Sequence, residues 1–120
     1  MDVFGTWNAN GTAFDYEVVV TNKSSSSVTF NDLKLNLVRS KNYNDLFGEN
    51  EQAASYTLVS SVTVESNGSR KYTGQRSYVR SDDYFYGLFV SSTTPAMSTE
   101  VMPFEEAMPD EFNLATYILE

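Results

Sequence analysis

Hydrophobic and polar residues alternate along much of this 120-residue chain. A period of two is typical of β-strands that bury one face. In the segment FDYEVVV the apolar residues share one parity and the two acids take the other, which predicts a half-buried strand. The same reasoning predicts strands in VFGTW, VTFNDLKLNLV, SYTLVSSVTVES and SRKYTGQRSYVR, and a strand covered on both faces in YFYGLFV. FNLATYIL is predicted to be the last strand, with a helix as the alternative.

The phase of the alternation changes once inside the third segment. Phe30 has the opposite parity to Leu33, although both are apolar. An extra residue in one strand reverses the direction in which later side chains point. The sequence therefore predicts a β-bulge at Asn31–Asp32.

Turn signals separate the predicted strands. Asn10–Gly11 is predicted to join the first strand to the second, and Asn67–Gly68 is the strongest hairpin signal in the chain. The polar stretch TNKSSSS is predicted to be the connection of a long hairpin, since Asn and Ser satisfy backbone groups in turns. The longer polar stretch at residues 39–53 could bridge between sheets.

These elements predict an all-β fold, a single antiparallel β-sandwich of about seven strands. Long helical periodicity is missing, and turn signals recur at the spacing of short strands. Forty-one per cent of residues are hydrophobic and 14% are aromatic, enough for a core of the chain's own. We expect residues 1–120 to form one domain.

Three parts of the chain carry a resemblance to a known class of domain. Val20, Asn22 and Ser24 form a V-x-N-x-S turn between two strands, and TVESNGSRKYTGQRSYV is followed by YFYGLFV. Between residues 14 and 90 the chain thus resembles the immunoglobulin-like domains of bacterial surface lipoproteins. The resemblance implies an immunoglobulin-like, extracytoplasmic and non-enzymatic domain, and it carries over no functional residue.

Histidine and cysteine are both absent from the chain. This removes thiolate chemistry, disulfides, the commonest transition-metal ligand and the usual general base near neutral pH. Asp82 and Asp83 are adjacent, so a regular strand would point them to opposite faces. We predict no enzymatic activity and no cofactor, with a hydrolase that uses carboxylates alone as a remote third reading.

Charge is distributed unevenly along the chain. Residues 1–80 hold eight acidic and eight basic residues, so the eight acids after Arg80 supply the whole formal charge of −8. An acidic surface could steer a basic protein partner or hold a cation such as calcium, although no calcium-loop spacing is present. The alternative is a solvated, solubilising region. Net negative charge speaks against nucleic acid, and no apolar run is long enough to span a membrane.

The segment EVMPFEEAMPDEF interleaves acids with methionine and phenylalanine, which suit adaptable contact surfaces. It could begin with one helical turn over residues 103–108, started by Pro103. One reading is a partner-docking segment, and the other is a flap that closes an open end of the sandwich. The candidate partner-binding residues are Phe104, Glu105, Glu106, Met108, Asp110 and Glu111.

Two further patterns are weighed against structural explanations. The first is a stripe of arginines and tyrosines of one parity, comprising Arg70, Tyr72, Arg76, Tyr78 and Arg80. These side chains could stack on bases or sugars, or could pack against neighbouring strands. Gly74 could break its register. Glycosylation sequons start at Asn10, Asn22 and Asn67, a number close to chance for this composition.

Together these observations favour a non-enzymatic binding or structural module of the bacterial cell surface or secreted space. The first residues contain no basic region of a signal peptide, so an export signal would have to lie outside this sequence. The alternative is a small acidic intracellular or phage-encoded inhibitor or immunity protein that neutralises a basic partner. In both cases we expect a protein partner.

Overall fold

The alternating segments form the strands of two packed layers. The structure is a computed structural model that describes residues 1–104. Its elements are β1 Asp2–Trp7, β2 Ala13–Thr21, β3 Val28–Ser40, a 3₁₀ helix Tyr43–Phe47, β4 Glu51–Val64, β5 Ser69–Ser77, β6 Phe85–Ser92, β7 Met97–Ser98 and β8 Met102–Pro103. The strand predicted at residues 112–119 lies outside the described residues. The predicted helical turn is wrong at its start, because Pro103 belongs to β8.

The strands divide into two antiparallel sheets. One sheet has the order β1-β2-β5, and the other has the order β4-β3-β6-β7, with β8 also paired to β6. This division places the first, second and fifth strands opposite the third, fourth and sixth. The predicted β-sandwich is confirmed. Residues 1–104 hold eight strands rather than about seven, because the segment after β6 forms two strands of two residues each.

Side chains of one parity from each central strand fill the space between the sheets. The inward residues of β2, β3 and β6 are at most 8% exposed: Phe14, Tyr16, Val18, Val20, Leu33, Leu35, Leu37, Tyr86, Leu88 and Val90. Each such side chain contributes roughly 1.5–3 kcal/mol on burial. This shared core is what holds the two sheets together.

The predicted change of phase in β3 is present. Phe30 and Leu33 are both buried although three positions separate them. Asp32 between them adopts a left-handed backbone with φ 53°, which short polar side chains tolerate. The predicted position of the bulge is wrong, because the pairing with β4 stays in register from Phe30 to Leu33 and shifts between Leu33 and Lys34. A second shift follows between Leu37 and Val38. The irregularity keeps apolar residues on the inward face along the whole strand.

The turn at Asn10–Gly11 joins paired strands as predicted, since β1 and β2 are neighbours in one sheet. The other connections were predicted wrongly. TNKSSSS and Asn67–Gly68 do not close hairpins, because β2 and β5 lie in one sheet whereas β3 and β4 lie in the other. Residues 39–53 do not bridge sheets, because β3 pairs with β4. Local turn chemistry sets where the chain reverses, but core packing decides which sheet receives the next strand.

Two connections cross between the sheets, residues 22–27 and residues 65–68, and buried Asn22 forms hydrogen bonds to both. Its side-chain nitrogen donates to the carbonyl oxygens of Val64 and Ser26, both at 2.9 Å. Its backbone N–H donates to the Gly68 carbonyl at 3.0 Å, and its side-chain oxygen accepts from the Ser24 N–H at 2.9 Å. The serine stretch is therefore the part of the chain that wraps around this asparagine. The Asn22 sequon places its acceptor nitrogen inside the fold, whereas Asn10 and Asn67 are exposed.

We expect Gly5→Ala to lower the free energy of unfolding by about 1–3 kcal/mol, the usual cost of overpacking. A Cβ at Gly5 would overlap Leu88 Cδ1 and lie 2.8 Å from Phe104 Cε1 in the core. The matched control is Gly48→Ala, where a Cβ meets nothing within 4 Å and the change should stay within about 0.5 kcal/mol. Urea unfolding monitored by circular dichroism measures both, and equal midpoints would contradict the packing described here.

Candidate aromatic binding surface

Three aromatic rings project into solvent at one end of the sandwich. Tyr43, Phe47 and Phe85 are 46%, 51% and 49% exposed. The Tyr43 ring lies 5.5 Å from that of Phe47 and 5.7 Å from that of Phe85, both in edge-on geometry. We call these three residues the aromatic patch. Adjacent exposed aromatic side chains form the kind of apolar surface that marks interaction sites.

The 3₁₀ helix presents two of these rings because a third side chain anchors it. Leu46 is fully buried, and the helix lies against β3 and β6. Asn42 caps the helix by accepting a hydrogen bond from the Asn44 N–H at 2.9 Å. With Leu46 directed inward, Tyr43 and Phe47 are left on the solvent side. Phe85, the first residue of β6, completes the patch.

A cleft of about 190 Å³ adjoins the patch. Its walls are mostly aromatic, and its lining comprises Trp7, Tyr43, Leu46, Arg80, Tyr84, Phe85, Tyr86, Pro103 and Phe104. The Trp7 and Phe104 rings stack at 4.6 Å, and the Arg80 guanidinium lies 5.7 Å from the Trp7 ring. The patch and the cleft form one continuous aromatic surface, because Tyr43 and Phe85 belong to both.

Of the sequence-predicted partner-binding residues, Phe104 alone lies within the described residues. Its half-buried ring stacks on Trp7 and meets Phe14 edge-on at 5.4 Å. Phe104 thus packs against the core, as the flap reading expects, while one side of it borders the cleft. Residues Glu105, Glu106, Met108, Asp110 and Glu111 lie outside the described residues.

The part of the arginine–tyrosine stripe within β5 points toward the opposite sheet, whereas Tyr78 and Arg80 follow the end of that strand and Arg80 is exposed. Arg76 pairs in register with Phe14, and Tyr72 pairs with Val18, so both point toward the opposite sheet. The Arg76 guanidinium lies 5.3 Å from the Tyr56 ring of β4. Gly74 does not break the register. A Cβ there would lie 2.8 Å from the hydroxyl of Tyr16, so the glycine makes room for that tyrosine.

Acidic side chains flank the aromatic patch in the sequence. Asp45 lies between Tyr43 and Phe47 on the 3₁₀ helix, and the exposed pair Asp82–Asp83 closely precedes Phe85. Three cations lie nearby, each over an aromatic ring: Arg39 and Lys41 over Tyr84 at 4.3 and 5.7 Å, and Arg80 over Trp7 at 5.7 Å. Arg39 also pairs with Glu51, so its charge is partly neutralised. Within residues 1–104, no three acidic side chains converge as a metal site.

Burial raises the pKa of Tyr78, and the neighbouring Tyr86 hydroxyl raises it further. Burial also raises the pKa of Tyr56 and of Tyr72, partly offset by nearby arginines. All three phenols are therefore neutral under physiological conditions. They act as hydrogen-bonding and packing groups rather than as bases.

Sequence reasoning missed the aromatic patch. Residues 39–53 were interpreted as a polar connection, although Tyr43, Leu46 and Phe47 are spaced three and four apart inside it. That spacing is the signal that could have revealed a short helical turn with one buried side chain. The proximity of Phe85 could not have been found from the sequence, because 38 positions separate it from Phe47.

No family model matches the chain, and no curated protein matches it. Among solved structures it is similar to the X-ray structure of Northeast Structural Genomics Consortium target SoR45. The two chains are 13% identical over 93% of this chain and 86% of the other, with a TM-score of 0.44. A likeness at this level carries no argument about function. The resemblance to bacterial lipoprotein domains stays a hypothesis, and in the described part the only helix, five residues long, is too short to cross a membrane.

We expect stability to fall as the pH rises above about 10. The folded chain holds the protons of Tyr56, Tyr72 and Tyr78 more tightly than the unfolded chain does. Their contribution is fully present below the unfolded tyrosine pKa of about 10 and is lost as the pH rises through the folded values. Urea midpoints between about pH 9 and 12 measure this loss.

Tyr78→Phe should flatten that pH dependence, because it removes one of the three titrating groups. Tyr43→Phe is the matched control, since it removes a hydroxyl from an exposed ring. Identical pH dependence in the wild type and the Tyr78 variant would show that Tyr78 does not titrate differently in the folded chain.

Proposed function

We propose that this chain is a non-enzymatic binding module of the bacterial cell surface or secreted space. The observation that carries the proposal is the aromatic patch, three rings about half exposed, of which Tyr43 contacts the other two. Aromatic residues are enriched in protein interfaces, and buried aromatic anchors dominate binding energy. Keeping such rings in water costs stability unless a partner covers them.

A protein partner fits this surface better than a small ligand does. The cleft beside the patch, about 190 Å³, is smaller than the 300–1,000 Å³ typical of ligand pockets, and the cavity at Phe47, about 350 Å³, lies at the lower end of that range. A partner side chain would enter the cleft, and the aromatic patch would pack against the surface around it. The formal charge of −8 disfavours nucleic acid.

The charge around the patch favours a basic partner. Asp45, Asp82 and Asp83 are exposed and adjoin the patch in sequence. Further along the sequence, the acids of residues 105–111 follow Phe104, which lines the cleft. Complementary charge speeds encounter more than it strengthens the final complex.

The same surface supports a second candidate from another class. A small acidic inhibitor or immunity protein inside the cell would also combine aromatic anchors with a surplus of acids, since it must neutralise a basic target. The two candidates differ in location and in partner. Fractionation of the native host, followed by immunodetection of the full-length gene product, separates them.

We expect the triple variant Tyr43→Ser, Phe47→Ser and Phe85→Ser to lose at least about tenfold in partner affinity, because removing each aromatic anchor costs on the order of 1–2 kcal/mol. Capture from extracts of the native host by the immobilised protein, quantified by mass spectrometry, measures this. Met97→Ser is the matched control, because Met97 is an exposed apolar residue at the other end of β6. A partner set captured equally by all three proteins would contradict the proposal.

Replacing Asp45, Asp82 and Asp83 by Asn should slow association of the captured partner and weaken its dependence on salt, while dissociation changes little. The same outcome is expected for Glu105→Gln, Glu106→Gln, Asp110→Asn and Glu111→Gln. Surface plasmon resonance at low and high ionic strength measures the rates. Asp15→Asn, an exposed acid on the outer face of β2, is the control. Association rates that do not respond to salt in the wild type would remove the steering argument.

A further inference from the structure

Strand β4 lies at an edge of its sheet. Its 14 residues make it the longest strand among residues 1–104, and within that part of the chain only β3 pairs with it. Edge strands are usually kept from pairing with other chains by short length, lysine or proline. Residues 52–64 contain no charged residue, proline or glycine. The sequence of β4 therefore leaves its free edge open to a further strand.

The charge beside this edge is low. Strand β5, which lies next to β4 in the opposite sheet, carries cations, but Lys71 pairs with Glu17 at 2.5 Å and Arg70 pairs with Glu65 at 3.6 Å. Residues 51–77, which span both strands, hold two acids and three bases. In a chain of formal charge −8, this is an edge at which two copies can approach without strong repulsion.

The hydrogen bonds of neighbouring strands show which backbone groups β4 presents at its free edge. In an antiparallel pair, the groups of alternate residues point toward the partner strand and away from it. The Asn31 N–H donates to the Thr94 carbonyl at 2.8 Å, away from β4, so its partner Ser61 also points away from β3. The Thr63 carbonyl agrees, since it accepts from Arg70 at 3.3 Å. A carbonyl oxygen has a second lone pair for another donor.

The first half of β4 presents its backbone in the same phase. The Val90 carbonyl accepts a hydrogen bond at 2.9 Å on the β7 side, so its partner Leu35 points toward β4. Leu35 pairs with Tyr56, which is thereby bonded to β3. Its neighbours Ser55 and Thr57 therefore direct their backbone groups toward the free edge. The side chains at all four free-edge positions are exposed, namely Ser55, Thr57, Ser61 and Thr63.

These four positions are symmetric about Val59. In a two-fold antiparallel pair centred on that residue, Thr63 lies opposite Ser55 of the second copy, and Ser61 lies opposite Thr57. Backbone groups that point to the free edge then meet others that do the same, so they form hydrogen-bonded pairs. Hydroxyl side chains also lie beside hydroxyl side chains, a favourable cross-strand pairing.

The inward side chains match in the same register. Val62 lies opposite Tyr56 of the second copy, and Val64 lies opposite Ala54, so apolar side chains meet apolar ones. Tyr56, Ala54 and Val62 are only half-buried in one copy, and pairing would cover them further. Residues 54–57 and 61–64 each pair with β3 without a shift. One regular run therefore faces the other, and the irregular residues 58–60 face only their own copies.

We propose that two copies of this chain associate through β4, as an antiparallel pair centred on Val59 that joins their sheets into one continuous sheet. A second copy fits this edge because the edge is complementary to itself in backbone phase, in side-chain type and in the position of its regular runs. The inference does not rest on the proposed function, since residues 54–64 belong neither to the aromatic patch nor to the cleft.

Sedimentation equilibrium of the full chain measures the association. We expect twice the mass of one chain, and Thr57→Lys should raise the dissociation constant at least about tenfold, because lysine on an edge strand disfavours pairing. Ser98→Lys is the matched control, since Ser98 is exposed on β7 at the other edge of the same sheet. The mass of one chain at about 1 mM, or equal constants for the wild type and Thr57→Lys, would overturn the proposal.

Distances between nitroxide labels test the register without relying on a disruptive variant. The chain lacks cysteine, so Ser55→Cys and Thr63→Cys each place one label at an exposed position of each copy. Both positions lie four residues from Val59, so equivalent labels are about 26 Å apart along the strands. Double electron–electron resonance should give equal distances for the two variants. A centre one residue away would make them differ by about 13 Å, so unequal distances or no dipolar coupling would overturn the proposal.

Discussion

The packing of β2 against β3 and β6 is the constraint on which the rest of the structure depends. These three strands contribute the most thoroughly buried residues, among them Phe14, Leu35 and Leu88. Because the two sheets share this core, β2 and β3 must lie in different layers, and the chain must cross between them. Asn22 then satisfies the backbone groups of both crossings from a buried position. The aromatic end of the sandwich is a consequence, since Trp7 and Phe104 extend the same core outward.

At that end, one side chain of the 3₁₀ helix anchors it and two others are exposed. Leu46 contributes the hydrophobic contact that fixes the helix against β3 and β6, and Tyr43 and Phe47 are exposed as a result. Exposed apolar area forgoes about 25 cal/mol per Å² of possible burial. Three such rings in contact are difficult to explain by stability alone. Their position next to exposed acids is consistent with a binding role that requires both apolar anchors and steering charge.

The two outer faces of the sandwich differ in how much of each is buried. On the β3–β6 side, the 3₁₀ helix covers part of the sheet and carries the aromatic patch. On the β1–β2 side, the outward residues Asp2, Phe4 and Thr6 of β1 are buried while β5 is solvated, and Lys71 reaches across to pair with Glu17 at 2.5 Å.

The sequence by itself determined β1 to β6, the change of phase within β3 and the all-β class, because alternation between core and solvent is a local property of each strand. It also determined the chemistry that the chain lacks, since no fold can supply a missing His or Cys. Only the tertiary structure decided that Asn67–Gly68 leads to the other sheet, that Tyr72 and Arg76 point inward, and that Phe85 meets Tyr43. These depend on contacts between residues far apart in the chain, where packing free energy outweighs the preference of any single turn.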